Sequence, residues 1–157
     1  MNTSDWLQLL EIAVTAAVGI WIATTIQNKF AKSRALRDYF INELIALQSD
    51  YRSFVNNIWS ANISSRAIKD TLKSLSGRIE TLDKYMHKKF QLNNSLIKEA
   101  HVKFQQELTY ASELDDQFQL PCVELNHDTK IRLMPFHDKI VEAITERVID
   151  INESKQL

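Results

Sequence analysis

Lys84, His87, Lys88 and Lys89, followed by Asn93, Asn94 and Ser95, form a group whose residue types and spacing suit ligand chemistry. Lys84, His87 and Lys88 share one helix face through steps of three and four. The cluster falls where one helix ends and the next begins. Ammonium groups and the free N–H groups of a helix start together favour phosphate. Tyr85 and Phe90 lie close enough in sequence to stack a base. The expectation is a site for a small anionic ligand such as a nucleotide, set against the plainer reading of solvated lysines at a helix end.

Other chemistries find less in the chain. It has no Gly-rich phosphate loop, no G-x-S-x-G elbow and no H-E-x-x-H. His87, His101, His127 and His137 supply no ligand pair at i, i+3 or i+4, so no metal is expected. Cys122 and His127 or His137 are near in sequence, which alone does not make a nucleophile and base. A buried structural thiol is the simpler reading. Glu113, Asp115 and Asp116 read as a solvated acidic turn. No catalytic residue, no cofactor and no enzymatic activity are expected.

A second constellation lies near the N-terminus. Gln8, Glu11, Thr15, Gly19 and Ile22 follow one helical face, with Thr15, Gly19 and Ala23 forming a series of small residues on it. Small residues let membrane helices approach closely, and polar side chains bond across them. A carboxylate below a bilayer surface is costly unless it meets water, a partner or a proton. Glu11, Thr15, Gly19 and Ala23 are therefore the candidate face for self-association. Snorkelling of Glu11 to the outer surface is the alternative.

These residues sit in an apolar run, Trp6 to Ile26, whose one charge is Glu11. As a helix the run reaches about 30 Å, the thickness of a bilayer's hydrocarbon core. Trp6 and Trp21 lie towards its ends, where indoles favour the headgroup boundary. A cleaved signal peptide would begin with basic residues, and none precedes the run. Lys29, Lys32, Arg34 and Arg37 follow it directly, so the positive-inside rule predicts an outside N-terminus and a cytosolic C-terminal domain at the inner (cytoplasmic) membrane. The single cysteine suits a reducing compartment. The expected divisions are 1–28 as a transmembrane anchor, 29–62 as a basic juxtamembrane segment and first long helix, and 63–157 as a cytosolic helical domain.

The soluble part reads as all-α. Two glycines and two prolines in the whole chain are too few for a turn-rich β fold. Leu36, Phe40, Leu44, Leu47, Tyr51, Phe54 and Ile58 step by threes and fours along a first helix. No Gly or Pro interrupts the chain between the anchor and this helix, which predicts one continuous element. Ser64 or Ser65 caps the next, which carries a coiled-coil-like seam of Ile68, Leu72, Leu75, Ile79, Leu82 and Met86, with Gly77 as its weak point. A third helix is predicted from Asn93 or Asn94 through Ile97, Phe104 and Leu108 towards Phe118. A fourth is predicted from Pro135, burying Ile140, Ile144, Val148 and Ile151. Between them, alternation around Val123, Leu125, Ile131 and Leu133 fits either a short β-hairpin over 122–134 or an irregular connection. The result is a bundle of about four helices behind one anchor.

Charge is sorted along this bundle. Basic residues dominate Arg66 to Lys103, and every charge from Phe104 to Asp128 is acidic, while the whole chain carries a net charge of −1. Neighbouring helices that face each other account for this. The balance gives no case for DNA or RNA binding.

With its span Trp6–Ile26, its basic flank Lys29–Arg37 and its cluster Lys84–Lys89, the chain resembles in plan the small membrane effectors of bacterial anti-phage systems. These include the cyclic-oligoadenylate-gated membrane effectors of type III CRISPR systems. The resemblance implies a cytosolic domain that binds a signal, forms a homo-oligomer and perturbs membrane lipid through its helices. The alternative is a membrane-tethered adaptor that holds a partner protein through the Ile68–Met86 seam.

Overall fold

The computed structural model describes residues 3–92 and 95–154, with side chains from Val18 onward. Five helices follow in order: α1 (Thr3–Trp59), α2 (Ser65–Phe90), α3 (Leu96–Thr109), α4 (Ser112–Asp116) and α5 (His127–Glu153). Among the described residues there is no strand. The chain divides into two compact units, residues 1–38 and 39–157.

In the first unit, α1 exposes Val18, Ile20, Trp21, Ile22, Ile26 and Phe30. Thr24 and Thr25 donate their hydroxyls to the carbonyls of Ile20 and Trp21 at 2.9 and 2.8 Å, so these polar groups are satisfied within the helix. Among the described residues no helix is long and apolar enough to cross a membrane. In the run Trp6–Ile26, side chains up to Ala17 lie outside the described residues, and with them Glu11 and Thr15.

The second unit is the helical bundle. The C-terminal part of α1 buries Phe40, Leu44, Leu47, Tyr51, Phe54 and Ile58, the four-three stepping of an amphipathic helix. It ends in a Schellman turn: Asn62 N–H reaches the Asn57 carbonyl at 2.9 Å and Ala61 N–H that of Ile58 at 3.2 Å. Ala61 takes the left-handed position, with φ 52°, where glycine is usual. Ser64 caps α2 by accepting from Ala67 N–H at 3.3 Å. All six seam residues of α2 are buried within this chain's own core. They are therefore not an open coiled-coil face for a partner. α3 packs against both α2 and α5, burying Ile97, Phe104 and Leu108.

Two expected boundaries are corrected. The third helix stops at Thr109, and after a break at Tyr110 and Ala111 the short α4 buries Leu114. Of the two readings of 122–134, the hairpin is absent and the irregular connection holds only as far as Asn126, where α5 begins. Val123 and Leu125 are buried on an extended segment, but its backbone is paired by single contacts and not by a strand. Val123 N–H donates to the Ile63 carbonyl at 2.9 Å. The Gln117 carboxamide accepts from Glu124 N–H at 2.8 Å and donates to its carbonyl at 3.0 Å. Asn126 then starts α5 by accepting from Thr129 N–H at 2.7 Å, well before the expected start at Pro135. Pro135 sits inside the helix at an exposed position, where water can meet the carbonyl its ring leaves unbonded.

Candidate functional site

The end of α2 and the start of α3 frame a cavity of about 360 Å³, whose wall includes Glu80, Asp83, Lys84, His87, Ser95 and Lys98. The register of α2 makes this wall. Leu75, Ile79, Leu82 and Met86 turn into the core, which places Glu80, Asp83, Lys84 and His87 on an adjoining face by steps of three, one and three. From α3, Ile97 is fixed in the core, and Ser95 and Lys98 flank it at the cavity. Ser95 is the N-cap of α3 but makes no side-chain capping bond.

The wall is charge-balanced, with Glu80 and Asp83 set against Lys84 and Lys98. Lys98 Nζ lies 3.9 Å from Glu80, a loose and exposed pair. Asp83 is half-buried, and its Oδ2 is enclosed without a hydrogen-bond partner. Burial raises the Asp83 pKa. The positive charges of Arg147 and Lys98 pull against this rise, and Glu99 adds to it.

The residues expected to bind an anion are thus divided. Lys84 and His87 line the cavity, whereas Lys89 lines a separate hollow of about 340 Å³ with Asp150 and Glu153. Lys88 is exposed and lines neither. Asn93 and Asn94 lie outside the described residues. Phe90 is engaged edge-on with Phe40, the ring centroids 5.5 Å apart, so its ring face is not presented as a base platform. Tyr85 is half-exposed.

Of the membrane-face candidates, Gly19 and Ala23 are exposed. A Cβ added at Gly19 would meet nothing within 4 Å, so the residue is not required for close packing inside this chain.

Sequence reasoning missed two buried polar groups. Arg147 is only 1 % exposed, with its guanidinium 3.2 Å from Asp150. It lies in register with Ile140, Ile144 and Ile151, so the signal was a basic residue on the apolar stripe of α5. The second is a hydrogen-bonded chain through the core. Tyr51 bonds His101 Nδ1, His101 Nε2 lies 2.6 Å from Ser76 Oγ, and Ser76 donates to the Leu72 carbonyl at 2.8 Å. One assignment satisfies every member: Tyr51 O–H donates to Nδ1, and a neutral His101 donates from Nε2 to Ser76. Burial pushes the His101 pKa down to about 4. Burial also raises the Tyr51 phenol above its ordinary value. The serine hydroxyl is committed to backbone, so the chain has the arrangement of a core brace.

The remaining candidates are scattered. Cys122 is exposed, correcting the expected buried thiol. It lies on the irregular segment between α4 and α5, which turns Val123 and Leu125 inward. His127 is exposed, and His137 is partly buried beside Asp138 at 3.3 Å. Glu113 is not simply solvated. Burial pushes its carboxyl up, but hydrogen bonds from its own backbone, Asn126, Thr129 and Ser112 outweigh this and hold its pKa below the usual value. Among the described residues no group of three or more His, Cys, Asp or Glu could hold a metal ion.

The sorted charges meet in part as expected. Lys69 lies 3.7 Å from Asp115 of α4, while Arg78 turns to Glu43 of α1 at 3.0 Å. Comparison with protein-family models, curated proteins and solved structures gave no match.

Proposed function

We propose that the chain is a non-enzymatic, self-associating effector at a bacterial inner membrane, with its N-terminus outside and its helical bundle in the cytosol. The bundle senses a small-molecule signal and alters the packing of the N-terminal helices, which then perturb the bilayer. Anti-phage defence is the setting that the architectural likeness implies. The observation that carries this reading is the exposed apolar surface of α1 from Val18 to Ile26, followed after Gln27 and Asn28 by exposed Lys29, Lys32 and Arg34. So much contiguous apolar surface marks a lipid or protein contact. The internally bonded hydroxyls of Thr24 and Thr25 suit a medium without water. The open surroundings of Gly19 suit a helix–helix contact between copies.

In this mechanism a ligand that prefers one arrangement of the bundle shifts the population of the connected N-terminal helices. An adaptor role through the Ile68–Met86 seam is less favoured, because those side chains already form the core of the bundle.

The test combines liposome flotation of the full chain with native mass spectrometry in detergent. The reading expects co-flotation with anionic vesicles, a discrete homo-oligomer, and loss of the oligomer but not of flotation in Gly19→Leu. A chain that stays with the aqueous fraction refutes the membrane reading. A Gly19→Leu variant that assembles like the parent removes the small-residue face from it.

A further inference from the structure

We infer that the outward face of α2 docks on the outward face of α5 in a second copy of this chain, in a head-to-tail contact that repeats from copy to copy. This rests on the self-association proposed above and names the bundle surface that carries it.

The bundle's own contacts leave these two faces open. α2 is flanked by α1, where Arg78 bonds Glu43 at 3.0 Å, and by α3, where Glu80 meets Lys98 at 3.9 Å. Opposite its buried stripe lie Arg66, Lys73, Gly77, Lys84 and Lys88, all exposed, with Asp70 as the one acid among them. α5 is flanked in the same way. Lys130 bonds the Trp59 carbonyl of α1 at 3.1 Å, and Arg132 lies 3.5 Å from Glu107 of α3. Opposite the buried stripe of α5 lie Ile131, Asp138, Glu142 and Ile149, edged by Glu146 and Glu153. The exposed base beside them, Lys139, is turned over the Phe136 ring, 5.9 Å from its centroid. Among the described residues Arg66, Lys73, Lys84 and Lys88 make no ion pair, and neither do Glu142, Glu146 and Glu153. A basic face and an acidic face thus stand without partners on two different helices. Like faces cannot pair, since α2 on α2 sets bases on bases and α5 on α5 sets acids on acids. The contact is therefore heterologous.

The levels of the charges also match. Both helices start at α4, where Ser65 donates to the Leu114 carbonyl at 2.7 Å and Asn126 N–H to Glu113 at 3.2 Å. Both end at the hollow shared by Lys89, Phe90, Asp150 and Glu153. They run the same way through the bundle, so copies held in one bilayer bring α2 and the neighbouring α5 together in parallel. In one register Lys73 faces Asp138, Gly77 faces Glu142 and Lys88 faces Glu153, because the two sets share the same spacing. In that register Arg66 and Lys84 face Ile131 and Ile149, exposed apolar residues that their alkyl stems can cover. Exposed ion pairs add little stability, so the charges set partner, direction and register.

Gly77 supplies an independent sign. It is exposed within a helix, where glycine is destabilising, and an added Cβ would meet nothing within 4 Å. Packing inside this chain does not call for it. A neighbouring helix does, because bare backbone there admits the Glu142 side chain between Lys73 and Lys84.

The experiment follows the oligomer of the full chain in detergent by native mass spectrometry and sedimentation over a range of concentrations. Gly77→Leu should raise its dissociation constant at least tenfold without lowering the melting temperature, since the new side chain meets open space within the chain. Lys73→Glu with Lys88→Glu should weaken assembly at least tenfold, and so should Asp138→Lys with Glu153→Lys. All four substitutions in one chain should restore assembly to the parent's level, a rescue that a merely misfolded variant would not show. The inference is overturned by a parent that is monomeric throughout, by a Gly77→Leu oligomer as tight as the parent's, or by a charge pair without effect. A four-substitution chain no tighter than the two-substitution chains overturns it too. Flotation is independent of all these outcomes. An oligomer lost in Gly19→Leu but kept in Gly77→Leu sinks this inference alone and leaves the membrane reading standing.

Discussion

Lowering the pH should loosen the bundle through one residue, His101. The donor–acceptor chain Tyr51–His101–Ser76–Leu72 is complete with a neutral imidazole. A second ring proton would sit at Nδ1, where Tyr51 already donates. Burial holds the folded-state pKa low, about 4 against an ordinary 6.5. Between these values the unfolded chain binds the proton and the folded chain does not, so stability falls as pH falls through this window. Above pH 6.5 the effect vanishes, and below about pH 4 it is complete. The shift of about 2.5 units is worth roughly 3 kcal/mol in full and about 2 kcal/mol by pH 5.

Other groups titrate nearby, and they must be separated from His101. Glu113, held low, loses its contribution as pH falls through the carboxylate range. Asp83, held high, acts in the opposite sense and favours the folded state as it protonates. The useful quantity is therefore the difference between the parent chain and His101→Gln, in which both carboxylates cancel. Urea unfolding of the two chains, followed by far-ultraviolet circular dichroism at pH 7 and pH 5, supplies it. The parent should be the more stable at pH 7, and its advantage should shrink by about 2 kcal/mol at pH 5. That corresponds to a shift of about 1 M in urea midpoint. An advantage equal at the two pH values would refute the reasoning. So would a His101 ring resonance that titrates near pH 6.5 in the folded chain.

The remaining predictions concern the backbone and its caps. Gly77 is an exposed helix residue where an added Cβ meets nothing within 4 Å, so Gly77→Ala should raise stability by about 1 kcal/mol in urea unfolding. Ala61 holds a left-handed φ of 52°, so Ala61→Gly should gain several tenths of a kcal/mol to about 1 kcal/mol by relieving that strain. Asn126→Ala should cost about 1 kcal/mol and expose the start of α5 to hydrogen exchange, because the Asn126 side chain accepts from Thr129 N–H. Tyr51→Phe should cost about 1–2 kcal/mol at pH 7 by leaving a buried imidazole nitrogen without its donor.

The long helices were legible because each buries an uninterrupted stripe. Phe40 to Ile58 and Ile68 to Met86 step by fours and threes without exception, and every position on both stripes is buried. The region between α3 and α5 was less so, because short-range alternation has two causes there. At Val123 and Leu125 it reflects an extended backbone with both side chains buried. At Ile131 and Leu133 it is accidental to a helix, with Leu133 buried and Ile131 54 % exposed. What decides between strand and helix is the Asn126 cap together with Glu113, which accepts from Asn126 N–H at 3.2 Å and from the Thr129 hydroxyl at 2.9 Å. Glu113 lies far enough upstream that no local window contains the contact. Pro135 attracted the helix start because proline suits a first turn, yet an exposed interior position tolerates it.

The candidate site was half legible for a related reason. A window along the chain counts Lys84, His87, Lys88 and Lys89 as one basic cluster, because side chains adjacent in sequence are counted together whichever way they point. Lys89 lies about 140° round the helix from Lys84 and lines the other hollow, while Lys88, although one turn from Lys84, is exposed and lines neither. The same rotation brings in Glu80 and Asp83, which lie one helical turn earlier on that wall and outside the apparent cluster. Lys98 and Ser95 then arrive from a second helix, set in place by the burial of Ile97. The sign of a site's field is fixed by the groups that share its wall, and here the two acids offset the two lysines. Arg147 adds to the same point from beneath. Its charge reaches Asp83 from the core side, so the enclosed carboxylate is drawn towards ionisation by one neighbour while burial resists it. A carboxylate held between those influences has its charge set by groups on α3 and α5, which no count of neighbouring basic residues along α2 could include.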